Sequence, residues 1–237
     1  MTVESVAAGE ASPAAVGAGR LSAVARERLL WLAAFAAVAV WPLFLFAYPP
    51  FQDLPNHMAR AYILLHPEDP LLARHFAISW SLVPDLAWDA FAVVVGHVLP
   101  LNVTLKIFLL LSLALTVTGL FVLNRVLVGQ WTWAPLLVAP FLFNTGLTKG
   151  FLGFDLSVGM ALLACAWWAA VDERHWRRRL AVAVLLSTLL FYAHLVAWAC
   201  YGLFVLGTKL AELQAPLRQR RLRAALPRWT GRLLRDG

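Results

Sequence analysis

Five apolar runs set the frame of this chain: 29–48, 101–123, roughly 133–148, 151–171 and 180–208. Each is long enough to cross, or nearly cross, the roughly 30 Å hydrocarbon layer of a bilayer as a helix. The pattern predicts an all-α polytopic transmembrane bundle over 26–210. Residues 1–25 are rich in Ala, Gly, Ser and Val without periodicity, and read as a disordered cytoplasmic tail. Residues 211–237 read as a basic cytoplasmic tail. The first run lacks a small-x-small cleavage site before Tyr48-Pro49-Pro50, so it reads as a retained span and not as a signal peptide.

The arginines flank these runs and set an orientation. Arg20, Arg26, Arg28, Arg125, Arg174 and Arg177 to Arg179, with Arg218, Arg220, Arg221 and Arg223, all fall on the cytoplasmic side by the positive-inside rule. The stretch 49–102 then lies outside. A single helix over 180–208 would put the last arginine group on the wrong face. The run therefore reads as a broken or re-entrant hairpin bent near Phe191-Tyr192-Ala193-His194, with two arms of about fourteen residues reaching roughly 20 Å each. The alternative is one long tilted span.

Composition agrees with a membrane chain: 61% of the 237 residues are hydrophobic and 14% charged, with a mean hydropathy of +0.72. The net charge of +7 comes from arginines at the ends of apolar runs, which suits anionic headgroups and argues against nucleic acid as a partner. Cys165 and Cys200 both sit in apolar runs and signal neither a disulfide framework nor a zinc site.

Within the outer stretch, Pro49 and Pro50 stop the first span, and Asp53 is placed to cap a helix with Pro55 in its first turn. Leu54, Met58, Ala61 and Leu65 then recur at helical spacing, with His57 and Arg60 on another face. Residues 85–100 predict a second helix lying in the interface, with Asp85 and Asp89 one turn apart on one face and Leu86, Phe91 and Val94 on the apolar side. Gly146 and Gly150 match a small-xxx-small packing pattern.

Chemistry is carried by a few ionisable residues in an apolar chain. A carboxylate shielded from bulk water can act as a general base or hold a divalent metal, which makes Asp53 and His57 the catalytic candidates. Arg60 and Lys149 are candidates for phosphate, and Asp155 and His194 for the substrate. A charge inside hydrocarbon costs on the order of 2.5 to 3.5 kcal/mol, so Asp155 needs a partner or a polar pocket.

Three stretches carry a family resemblance: Gln52-Asp53-Leu54-Pro55-Asn56-His57 after the first span, Phe151-Leu152-Gly153-Phe154-Asp155 entering a later one, and Phe191-Tyr192-Ala193-His194 within the hairpin. Together, over about 29–210, they resemble the amino-terminal half of bacterial GT-C glycosyltransferases. The resemblance implies transfer of a sugar from a polyprenyl-phosphate donor to an acceptor outside the cytoplasm, at a bacterial inner membrane. It maps a catalytic acidic residue of the first outer loop, a base or a Mg or Mn ligand, onto Asp53. Family members usually run to more than twice this length, which implies a further carboxy-terminal region or a partner subunit. The rival reading is a non-catalytic membrane subunit or transporter-like protein in which the same residues line a polar path.

Overall fold

Proline and glycine decide where the helices begin and end. A computed structural model describes residues 26–27, 30–31 and 33–233, with only the backbone for Glu173 and 215–233. The predicted tail over 1–25 lies outside the described residues. All regular structure in the described residues is helical, as the apolar runs predict.

The chain divides into two units, one ending at Phe46 and one running from Ala47. In the first, the helix α1 spans Ala33–Phe44. It ends as a tight 3-10 turn, Trp41–Phe44, with Pro42 in its first positions. Of the run 29–48, expected as the first span, Ala33–Phe44 forms one continuous apolar helix, while residues 29 and 32 lie outside the described residues.

The second unit contains α2 (Leu54–Leu65), α3 (Pro70–His75), α4 (Ala87–Gly96), α5 (Leu101–Val128), α6 (Thr145–Lys149), α7 (Leu152–Ala170), α8 (Trp176–Ala193) and α9 (Leu195–Leu233). Pro100 precedes α5, and Gly129, at φ 79°, closes it in the left-handed conformation that glycine adopts without a Cβ penalty. Its 28 residues reach roughly 42 Å at 1.5 Å per residue. α7 runs beside it at close range. A Cβ added at Gly159 would lie 2.6 Å from the Leu115 backbone, and one at Gly119 would lie 3.0 Å from the Gly159 carbonyl oxygen. Small residues let the two backbones meet, as membrane helices require when no solvent drives them together. Buried hydroxyls turn onto their own helices, Ser112 donating to the Phe108 carbonyl at 2.9 Å and Ser157 to that of Phe154 at 2.7 Å.

The run 180–208 is broken, and the chain reverses. α8 stops at Ala193, His194 is extended, and α9 starts at Leu195. Beyond the break, Trp198 donates to Ser187 at 2.8 Å, seven residues before His194. At the far end of the hairpin both arms meet Trp168. Its indole N–H donates to Thr208 at 2.9 Å, its carbonyl accepts from Arg179 at 3.1 Å, and the Arg179 guanidinium lies 4.0 Å over its ring.

One expected span is corrected. The run 133–148 is not one helix but a 3-10 segment, Ala134–Phe141, with Pro140 inside it, followed by the five-residue α6 capped by Asn144. Proline removes a donor and blocks the helix, so hydropathy alone overestimated this span. Among the described residues three helices are long and apolar enough to cross a membrane: α5, α7 and Leu195–Gln214 of α9. The segment read as a basic tail from 211 continues α9 as helix to Leu233.

Asp85 is not part of α4, as the sequence reading supposed. It sits before the helix at φ 69°, a conformation Asp tolerates better than most residues. α4 buries Trp88, Asp89 and Ala92, while Val94 is exposed. Trp88 and Phe91 pack edge-on against Phe108 of α5, so α4 is held in the bundle by its aromatic face.

Candidate functional site

The loop before α2 is tied to the end of α6. Gln52 and Asp53 donate their backbone N–H to the carbonyls of Thr148 and Lys149, at 3.1 and 2.9 Å. Gly150, at φ 88°, lets this approach happen: a Cβ there would lie 3.1 Å from the Leu54 nitrogen. Asp53 occupies the N-cap position of α2, yet its side chain makes no cap bond. One oxygen instead accepts from Asn56 at 2.7 Å, and the other lies 3.4 Å from His57 Nε2. The expected i, i+4 pairing of Asp53 and His57 is therefore present. Trp88 fixes the same turn, donating to the His57 carbonyl at 3.1 Å.

Two more ionisable groups reach this point from distant parts of the chain. The Asp85 carboxylate packs against Gly153 at the start of α7, where an added Cβ would overlap the carboxylate oxygen and force the Asp85 side chain to shift. The same Cβ would lie 3.1 Å from the Ala193 carbonyl, so Gly153 also admits the hairpin tip. Leu86 donates its N–H to the Tyr192 carbonyl at 2.8 Å, pinning the Asp85 loop to that tip. His194 follows, its ring edge-on to Phe154 and its Nδ1 accepting from Val196 N–H at 3.3 Å.

These groups feel one another. Burial pushes the His57 imidazole below its ordinary range, opposed by the negative fields of Asp53 and Asp85 and by the Gly150 backbone, while Arg60 adds to the depression. Burial likewise pushes Asp85 above the usual carboxylate range, although the residue as a whole is exposed. His194, His57 and Arg60 oppose that rise. At neutral pH His57 is therefore mainly uncharged and able to accept a proton. Asp85 was missed as a site residue because its proximity to Gly153 and His194 is tertiary. The one local signal was Pro84-Asp85 ahead of a helix.

The other candidates fall elsewhere. Asp155 is two residues beyond Gly153, about 200° around the helix, and its polar neighbour is Asn144. Lys149 is exposed, and what it gives the site is its carbonyl. Arg60 forms an ion pair with Asp89 of α4, whose side chain is 5% exposed against 51% for the arginine.

Beside the cluster, α2, the irregular segment 76–83 and the start of α4 enclose a cavity of about 580 Å³. Arg60, Ile63, Phe76, Ser79, Trp80 and Asp89 are among its walls. Among the described residues no group of three or more His, Cys, Asp and Glu side chains is arranged to hold a metal ion. Asp53 already spends both oxygens on Asn56 and His57, so the donor set for Mg or Mn is not assembled here. Comparison with protein-family models, curated proteins and solved structures finds no match for the chain.

Proposed function

We propose that this chain is the membrane module of a GT-C-type glycosyltransferase, moving a sugar from a polyprenyl-phosphate donor to an acceptor hydroxyl. One observation carries the reading: Asp53 and His57 from one turn, Asp85 from a loop and His194 from the hairpin tip, three separate segments, sit within electrostatic reach of one another at one end of α7. Perturbed titratable groups gathered beside a cavity are the physical mark of a reactive site. The reading places the site on the extracytoplasmic side of a bacterial inner membrane, with the amino terminus cytoplasmic. The arginines at the opposite end of the hairpin support that orientation.

In the proposed reaction the acceptor oxygen attacks the anomeric carbon as the bond from that carbon to the phosphate oxygen breaks. The lipid phosphate leaves with the electron pair, and the acceptor proton passes to the Asp53 carboxylate, which Asn56 and His57 hold in place. His57 and His194 then position groups around the reacting atoms, and a further carboxy-terminal region or partner subunit completes the acceptor site.

The test is Asp53→Asn in the full-length protein, assayed in membranes with a radiolabelled polyprenyl-phosphate hexose. Transfer should fall by about 10²- to 10⁴-fold, the usual contribution of a positioned base, with expression and thermal unfolding unchanged. Unaltered transfer would remove Asp53 from the chemistry and favour a non-catalytic subunit.

A further inference from the structure

The cavity between α2 and the 76–83 segment carries a chemistry that the catalytic cluster does not use. Its charged wall is a pair, not a free cation: Arg60 and Asp89, both among its lining residues, form an ion pair, and their formal charges cancel. Asp89 is 4% exposed, and its Oδ1 has no hydrogen-bond partner among the described residues. Ser79 and Ser81 add hydroxyls to the lining, and Trp80 and Phe76 add aromatic faces. The volume falls inside the roughly 300 to 1,000 Å³ typical of small-molecule sites.

These features select a ligand. An anion entering here would take up Arg60 only at the cost of placing its own charge beside the Asp89 carboxylate. A neutral molecule with hydroxyl groups on an apolar ring suits the rest of the wall: its hydroxyls exchange hydrogen bonds with Ser79 and Ser81, and the C–H face lies on Trp80. We propose that this cavity is a binding site for a neutral sugar ring, and that Arg60 serves it as the partner of Asp89 and not as a phosphate ligand. Assigning that ring to the donor or the acceptor rests on the transferase reading; the chemistry of the pocket does not.

The experiment measures binding without turnover. The full-length protein in lipid nanodiscs is titrated with butyl glucoside and, separately, with butyl phosphate, and contact is followed by saturation-transfer NMR. The native protein should bind the glucoside saturably and more tightly than the phosphate. Trp80→Ala, a change at an exposed residue (56%), should weaken glucoside binding by at least about fivefold, the scale of an aromatic contact. Asp89→Asn should raise phosphate affinity, because Arg60 loses its counter-charge. Tighter native binding of the phosphate, or glucoside binding indifferent to Trp80→Ala, would overturn the inference. A native protein that binds the glucoside but shows no transfer in any assay would leave the pocket standing and sink the transferase alone.

Discussion

The two ends of α7 are built differently. At its start, Gly153 makes room for Asp85 and for the Ala193 carbonyl, and acidic and imidazole groups gather from segments about 140 residues apart, since Asp53 and His194 belong to the same cluster. At its finish, Trp168 is clasped by Arg179 and Thr208, with the Lys209 ammonium 5.7 Å from its ring. At the basic end a cation lies on an aromatic face, and an indole N–H meets a hydroxyl. At the acidic end burial shifts both Asp85 and His57 toward their neutral forms. One end holds the hairpin together. The other keeps ionisable groups in a costly environment, which proteins do where chemistry requires it.

Substitutions can separate the two ends. Gly159→Val should have the largest effect on stability, because it lies between them and its side chain would enter the α5 backbone. We expect a loss of about 3 kcal/mol, seen in thermal unfolding, with both ends lost together. Gly153→Ala should cost between about 1 and 3 kcal/mol by the same overpacking, with a fall in transfer beyond what the folded fraction explains. Arg179→Leu should cost about 1 to 2 kcal/mol through the lost cation-π contact and hydrogen bond, while the protein that remains folded transfers at the native rate.

The smallest effect on stability is the most informative in sign. The folded-state pKa of Asp85 is raised, so above it the native state carries an ionised carboxylate that the unfolded chain solvates better. Asp85 therefore costs stability at neutral pH, and the cost disappears as pH falls through its folded pKa toward the ordinary value. Asp85→Asn should make the protein slightly more stable at pH 7, with the advantage over the native chain vanishing near pH 4, while transfer drops by at least about tenfold. His57 works oppositely. Its pKa is lowered, so the unfolded chain takes up the proton first, and stability declines as pH drops below about 6.5. His57→Gln should flatten that decline.

Much of the bundle was legible in the chain because its helices are bounded by strong local signals. Pro100 and Gly129 bracket α5, and the hairpin break near His194 followed from the length of its run together with the arginines behind it. The stretch 133–148 misled because a hydropathy average cannot register that Pro140 and Asn144 each interrupt a helix. Of the site, the Asp53–His57 pair was readable from i, i+4 spacing. The place of Asp85 was not, since it depends on a missing side chain at Gly153 and on a backbone bond to Tyr192, sixty-eight and over one hundred residues away in sequence.

The central claim is that the Asp85 loop and the hairpin tip meet at the start of α7. The direct test is disulfide formation between cysteines in Leu86→Cys and Tyr192→Cys combined, in full-length protein with Cys165 and Cys200 replaced by alanine, oxidised in native membranes. The 2.8 Å backbone hydrogen bond between these positions predicts rapid, near-complete cross-linking, with neither single variant forming the band. Two cysteines that both react with maleimide yet never join would show that these segments do not meet.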